Sequence, residues 1–140
     1  MWTPHRLTAI LAAGLVGLGS LAAGCSSAPM RAIGADKIAP RQAERNLSAG
    51  IRAYEEGDYR KAASRFQQAL DDGLAFTTDK VTAYKYLAFI HCATGRTAQC
   101  RAEFQKAFAI DPGFELTKAE AGHPVWGPIY RSVKSERAQR

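Results

Sequence analysis

The chain has 140 residues, 46% of them hydrophobic, and its 19 lysines and arginines outweigh 13 aspartates and glutamates for a formal charge of +6. That length holds one domain with a single core and excludes a multidomain enzyme. The basic surplus could favour anionic lipid headgroups, lipopolysaccharide or an acidic partner, but the charges are scattered rather than blocked, which reads as solvated helix faces and argues against nucleic acid.

The first element is a leader. Met1 to Arg6 makes a short basic start, Leu7 to Leu21 is an uncharged, largely apolar run, and the small residues Ala22 to Gly24 precede Cys25. This order suits a signal peptidase, and the run is short for a bilayer span, which takes ~20 apolar residues. Leu21-Ala22-Ala23-Gly24-Cys25 resembles the lipobox of bacterial lipoproteins, with Ala22 where that pattern prefers a larger aliphatic residue. The resemblance implies that residues 1–24 are removed, that Cys25 is acylated and that Ser26, in place of a retaining aspartate, sends the protein to the periplasmic face of the outer membrane. Several acyl chains make such an anchor durable where one binds only marginally. Removing Arg6 with the leader leaves 18 basic and 13 acidic side chains, a charge of +5. Residues 25–40 then form the acylated cysteine and a tether, since Ser26 to Pro40 carries Ser, Ala, Gly and two prolines with no apolar period; such coil spans ~20 Å.

From Arg41 the chain is rich in Ala, Leu, Arg, Glu and Gln, and residues 41–140 are expected to be one helical domain. Helices are expected at about 40–56, 58–71, 79–93 and 97–110, with turns at Gly57 and Gly95. An internal repeat orders them: Gly50, Gly57, Ala62, Phe66 and Ala69 recur 38 residues later as Ala88, Gly95, Cys100, Phe104 and Ala107. Small residues on successive helices let antiparallel axes approach closely, and Phe66 and Phe104 then fill the space between helix pairs. Tyr84-x-x-Leu87-Ala88-x-x-His91, Cys100-x-x-x-Phe104 and Asp111-Pro112 resemble the tetratricopeptide (TPR) repeat. The unit of that family has about 34 residues, so the extra four belong between the copies, near Asp71-Asp72-Gly73 and Thr77-Thr78-Asp79.

Two hairpins leave an apolar end, and the tail offers a cap. Pro124 suits a first helical turn, with Val125, Trp126, Ile129, Tyr130 and Val133 at helical spacing behind it, and Thr117 with Glu120 fits a capping box. Trp126 reads as a packing wedge. The fold expectation is therefore all-α: a short α-solenoid of two TPR-like helical hairpins plus a C-terminal capping helix.

Cys92 and Cys100 flank the second turn, where a disulfide would suit an oxidising compartment, with two buried free thiols as the alternative. A zinc or redox site built on Cys92, Cys100 and His123, with His91 nearby, is a distant reading, because the spacing matches no paired-ligand motif. No Ser-centred elbow, phosphate loop or partnered carboxylate pair is present, so the sequence points to no enzyme, no catalytic residue, no metal, no cofactor and no small-molecule substrate.

Binding remains. In TPR arrays the first helices of each pair line a groove for a peptide or helix, and that likeness places Leu47, Ile51, Tyr54, Lys85 and Phe89 there. An apolar or amphipathic segment of a partner protein would fit it, although the same five residues could instead pack against the tether or the tail helix. Taken together, the lipobox, the repeat pair, the Cys92/Cys100 pair and His123-Pro124-Val125-Trp126-Gly127-Pro128 resemble the type VI secretion-associated lipoproteins of the TssQ type. The resemblance implies an outer-membrane-anchored periplasmic lipoprotein that acts as an adaptor or assembly factor for secretion-system components. The alternative within the same class is a TPR lipoprotein serving as a secretin pilotin or an outer-membrane assembly factor.

Overall fold

The computed structural model describes the backbone of residues 35–139 and the side chains of residues 42–139. Six helices follow one another: α1 (Ala35–Glu55), α2 (Tyr59–Asp71), α3 (Thr77–Ala93), α4 (Thr97–Ile110), α5 (Lys118–Ala121) and α6 (Gly127–Ala138), with no strand among the described residues. The all-α expectation holds. α1 packs on α2 and α3 on α4 as two hairpins, α3 also lies against α1 and α2, and α6 closes on α4 and α5.

Both hairpin turns are built alike. At the first, the N–H of Asp58 donates to the carbonyl of Ala53 and that of Gly57 to Tyr54, while 38 residues on Arg96 donates to His91 and Gly95 to Cys92. This is the bonding of a helix end closed by a left-handed residue, and Gly57 and Gly95 supply it with φ of +79° and +75°. Asp58 also starts α2, its side chain accepting from the N–H of Lys61 at 3.0 Å.

The repeated small and aromatic residues form the core. Ala62, Phe66 and Ala69 of the first hairpin and Ala88, Cys100, Phe104 and Ala107 of the second are each 0% exposed. Gly50 meets the Phe66 ring so closely that no side chain fits between them. Phe66 stacks on Tyr86 of α3 with ring centroids 5.2 Å apart, and Phe104 lies edge-on to Phe89 and Tyr130. α3 thus serves both halves: Ala83, Leu87 and Ile90 belong to the first core, and Ala88, Phe89 and Cys92 to the second. The extra residues between the repeats form the α2–α3 connection, fixed by Leu74, which is 2% exposed.

α3 begins at Thr77, two residues ahead of the expected 79, and two further boundaries differ from expectation. α1 begins at Ala35, inside the segment read as tether, and Pro40 lies in its second turn rather than its first. Ala35, Lys37 and Ala39 favour helix, and lengthening a helix already fixed by packing avoids the cost of a new nucleus. The tail helix starts at Gly127 rather than at Pro124, with Pro128 in its first turn; residues 124–126 form the turn that delivers Trp126 to the core. The capping box is present, Thr117 Oγ1 accepting from the N–H of Glu120 at 3.2 Å and Glu120 Oε2 from that of Thr117 at 3.0 Å. Tyr130 ties the tail down further: its hydroxyl accepts from the N–H of Leu116 and donates to the carbonyl of Phe114, both at 3.3 Å.

Candidate partner groove

The five residues expected to line a groove all lie on α1 and α3, as the repeat register requires, but the structure closes that face over the second hairpin. Phe89 is 2% exposed because Trp126 stacks on it, with centroids 4.4 Å apart and planes 23° off parallel. Trp126 is itself held in place: its Nε1 donates to the carbonyl of Glu120 at 2.9 Å, and the His123 ring stacks against it with centroids 3.3 Å apart. Lys85, expected to line the groove, donates to Glu120 Oε1 at 2.7 Å and sits 5.0 Å from the Tyr86 ring centroid and 5.7 Å from that of Phe89.

Of the two occupants open to these residues, the tail is the one present over Lys85 and Phe89. What remains of the expected groove is its first-hairpin part. Leu47 is buried, while Ile51 and Tyr54 are half-buried, with Tyr54 in edge contact with Tyr86 at 4.9 Å and tilted against Tyr59 at 5.3 Å. Burial, followed by the neighbouring Tyr59, Tyr86 and Glu120, pushes the Tyr54 hydroxyl up to about 12, so it stays protonated as a hydrogen-bond donor throughout the neutral range.

Glu120 is the residue that sequence reasoning undervalued. It was legible as a helix cap, but its second carboxylate oxygen reaches α3, 35 residues back in the chain. Burial raises its pKa, yet the bond from Lys85 and those from Thr117 outweigh burial and hold it below 4.5.

Cys92 and Cys100 are joined by a disulfide, with Cα atoms 5.1 Å apart and both residues buried. In this bonded form their sulfurs present no thiolate to a metal. His123 belongs to the tail turn, where its Nδ1 accepts from the N–H of Val125 at 3.2 Å. Beside the disulfide, His91 Nδ1 is buried without a partner, and burial first, then Arg96, lowers its pKa below 6.5. Among the described residues no three His, Cys, Asp or Glu side chains converge as metal ligands, and no helix is long and apolar enough to cross a membrane. Cys25, the expected acylation site, lies outside the described residues.

No family model matches the chain, and neither a curated protein nor a solved structure matches it.

Proposed function

We propose that this chain is a lipoprotein, anchored by acylated Cys25 to the periplasmic face of the outer membrane, whose paired TPR-like hairpins act as a protein adaptor accessory to a type VI secretion system. One conjunction carries the reading: Leu21-Ala22-Ala23-Gly24-Cys25 stands directly ahead of two helical hairpins that repeat the same turn bonding and the same small and aromatic core positions. Anchoring confines the hairpins to a layer beside the membrane and so raises the effective concentration of any partner held there, without a new contact.

The occupied half of the groove sharpens the mechanism. Phe89 and Lys85 belong to the packing of the tail, so a partner segment would engage the side of α1 that presents Ile51 and Tyr54. Ile51→Glu is then expected to weaken capture while leaving helical content intact. The deciding experiment is fatty-acid labelling and a crosslinked pull-down from intact envelopes, with Cys25→Ala as the unanchored control. Labelling at Cys25 and recovery of secretion baseplate or membrane-complex components, lost in the control, supports the proposal. Recovery of a secretin or an outer-membrane assembly complex overturns the assignment of machine, and absence of labelling overturns the anchor.

A further inference from the structure

Four cationic side chains on α3, α4 and α6 find carboxylates: Lys85 meets Glu120, Arg101 meets Glu136, Lys106 meets Glu103 and Lys134 meets Glu115. Arg45, Arg52 and Arg65 do not. They form no ion pair among the described residues, yet all three line one open cleft of about 510 Å³ along α1 and α2, with Glu44 as its single carboxylate. Arg45 and Arg52 are seven residues apart, two helical turns, and so share a face of α1. Their contacts are with neutral groups. Arg45 donates to Gln42 Oε1 at 2.7 Å, and Arg65 donates to Asn46 Oδ1 at 3.1 Å and to Gln68 Oε1 at 3.2 Å. Asn46, 5% exposed, is turned towards Arg65 by its own donation to Asp72 Oδ2 at 2.8 Å. The Arg65 guanidinium is thus positioned without being neutralised.

We infer that this cleft receives the phosphodiester of an anionic phospholipid headgroup. Guanidinium groups are matched to phosphate oxygens by their planar fork of donors, and three in one cleft repel one another until an anion enters. Gln42 and Ser48, also in the lining, add polar groups suited to a hydroxylated headgroup. The choice of lipid over any other phosphate rests on the lipoprotein reading. Ten residues separate Cys25 from the start of α1, a contour of at most ~35 Å, and Arg45 comes ten residues later, ~15 Å along the helix. The anchored end of the chain is therefore the end that carries the cleft. The headgroup contact itself needs no acyl chain, which lets the two ideas fail separately.

The test uses the full chain with Cys25→Ala, which cannot be acylated, in flotation with vesicles of phosphatidylcholine alone or with added phosphatidylglycerol. Tighter binding to the anionic vesicles is expected. An arginine near an anionic surface is worth about fivefold in partitioning, so Arg45→Gln/Arg52→Gln/Arg65→Gln should remove on the order of a hundredfold of that preference. A control with the same charge loss elsewhere, Arg60→Gln/Lys61→Gln/Lys80→Gln, should retain most of it. Circular dichroism of both variants confirms that they remain folded. A preference that survives the first variant, or falls equally in the control, overturns the cleft. Release by inorganic phosphate, beyond that caused by chloride at equal ionic strength, overturns the lipid in favour of a free-phosphate pocket.

Discussion

Gly50 lies in the interior of α1, where alanine would ordinarily stabilise a helix by about 1 kcal/mol. Here Gly50→Ala is expected to destabilise instead. A Cβ at this position would lie 2.7 Å from Cδ1 and Cε1 of Phe66 and 3.1 Å from its Cζ, whereas ordinary contact begins at 3.4 Å. The ring would have to retreat by about 0.7 Å, the difference between those limits. It has nowhere to go, because Phe66 is fully buried and its face is stacked on Tyr86, which is wedged in turn against Tyr54 and Phe89. Overpacking of this kind costs about 1–3 kcal/mol, so after the propensity gain the net loss is about 0–2 kcal/mol, a fall in Tm of up to ~10 °C for a domain of this size. The decisive comparison is Gly50→Ala in wild type and in a Phe66→Leu background, followed by urea melts monitored by circular dichroism. With the ring edge gone, alanine should recover its helical advantage, giving a coupling of at least ~1 kcal/mol between the two positions. Stabilisation by Gly50→Ala with Phe66 in place, or an equal effect in both backgrounds, would refute the view that this contact sets the spacing of α1 and α2.

Gly127→Ala should loosen the tail, because its Cβ would fall 2.4 Å from the carbonyl oxygen of Ala121, backbone that cannot swing aside; a red shift of Trp126 emission and a loss of about 1–3 kcal/mol are expected, and unchanged emission counts against it. Reduction of Cys92–Cys100, or Cys92→Ser/Cys100→Ser, should lower stability by about 2–3 kcal/mol through the short loop it closes, read from melts with and without reductant. Stability should also fall as the solution is acidified, in two stages. His91 has a folded pKa below 6.5, so its contribution is complete above 6.5 and is lost as pH drops from there through the folded value. Glu120 is held below 4.5, so its contribution is complete above 4.5 and is lost beneath it. His91→Gln should flatten the first stage and Glu120→Gln the second in denaturant melts across pH; an unchanged profile in either variant refutes the corresponding assignment.

The two hairpins were legible because their determinants are local or periodic. Gly57 and Gly95 mark left-handed turns, Asp58 marks a helix start, and one spacing relates Phe66 to Phe104 and Ala62 to Cys100, so α2 and α4 could be bounded to within a residue. The Thr117–Glu120 capping box was equally local. What escaped was the reach of single side chains across the fold. Nothing in the sequence near Glu120 says that its other oxygen meets Lys85, and nothing near Trp126 says that its ring face is spent on Phe89. The start of α1 was missed for a different reason: composition and Pro40 describe an isolated segment, whereas the helix is propagated backwards from packed residues such as Ala43 and Leu47.

The tail covers one end of the paired hairpins. Two hairpins leave Phe89, Phe104 and Phe108 on an uncovered end of the core, and Trp126, Tyr130 and Val133 are placed over them, with Phe114 and Leu116 sealing the rim. A continuous aromatic path then runs from Tyr59 through Tyr54, Tyr86 and Phe89 to Trp126 and His123. Its first two members lie at the α1–α2 end. That end also holds the arginine-lined cleft and is joined to the proposed anchor, so two candidate binding features fall on the first hairpin. On the proposed adaptor reading the second hairpin, stapled by its disulfide and closed by α6, serves as the scaffold. Exchanging Trp126 for alanine should therefore cost stability without creating a binding site, while changes at the exposed Arg52 should alter binding without costing stability; the reverse pattern would move the proposed working face to the other end of the molecule.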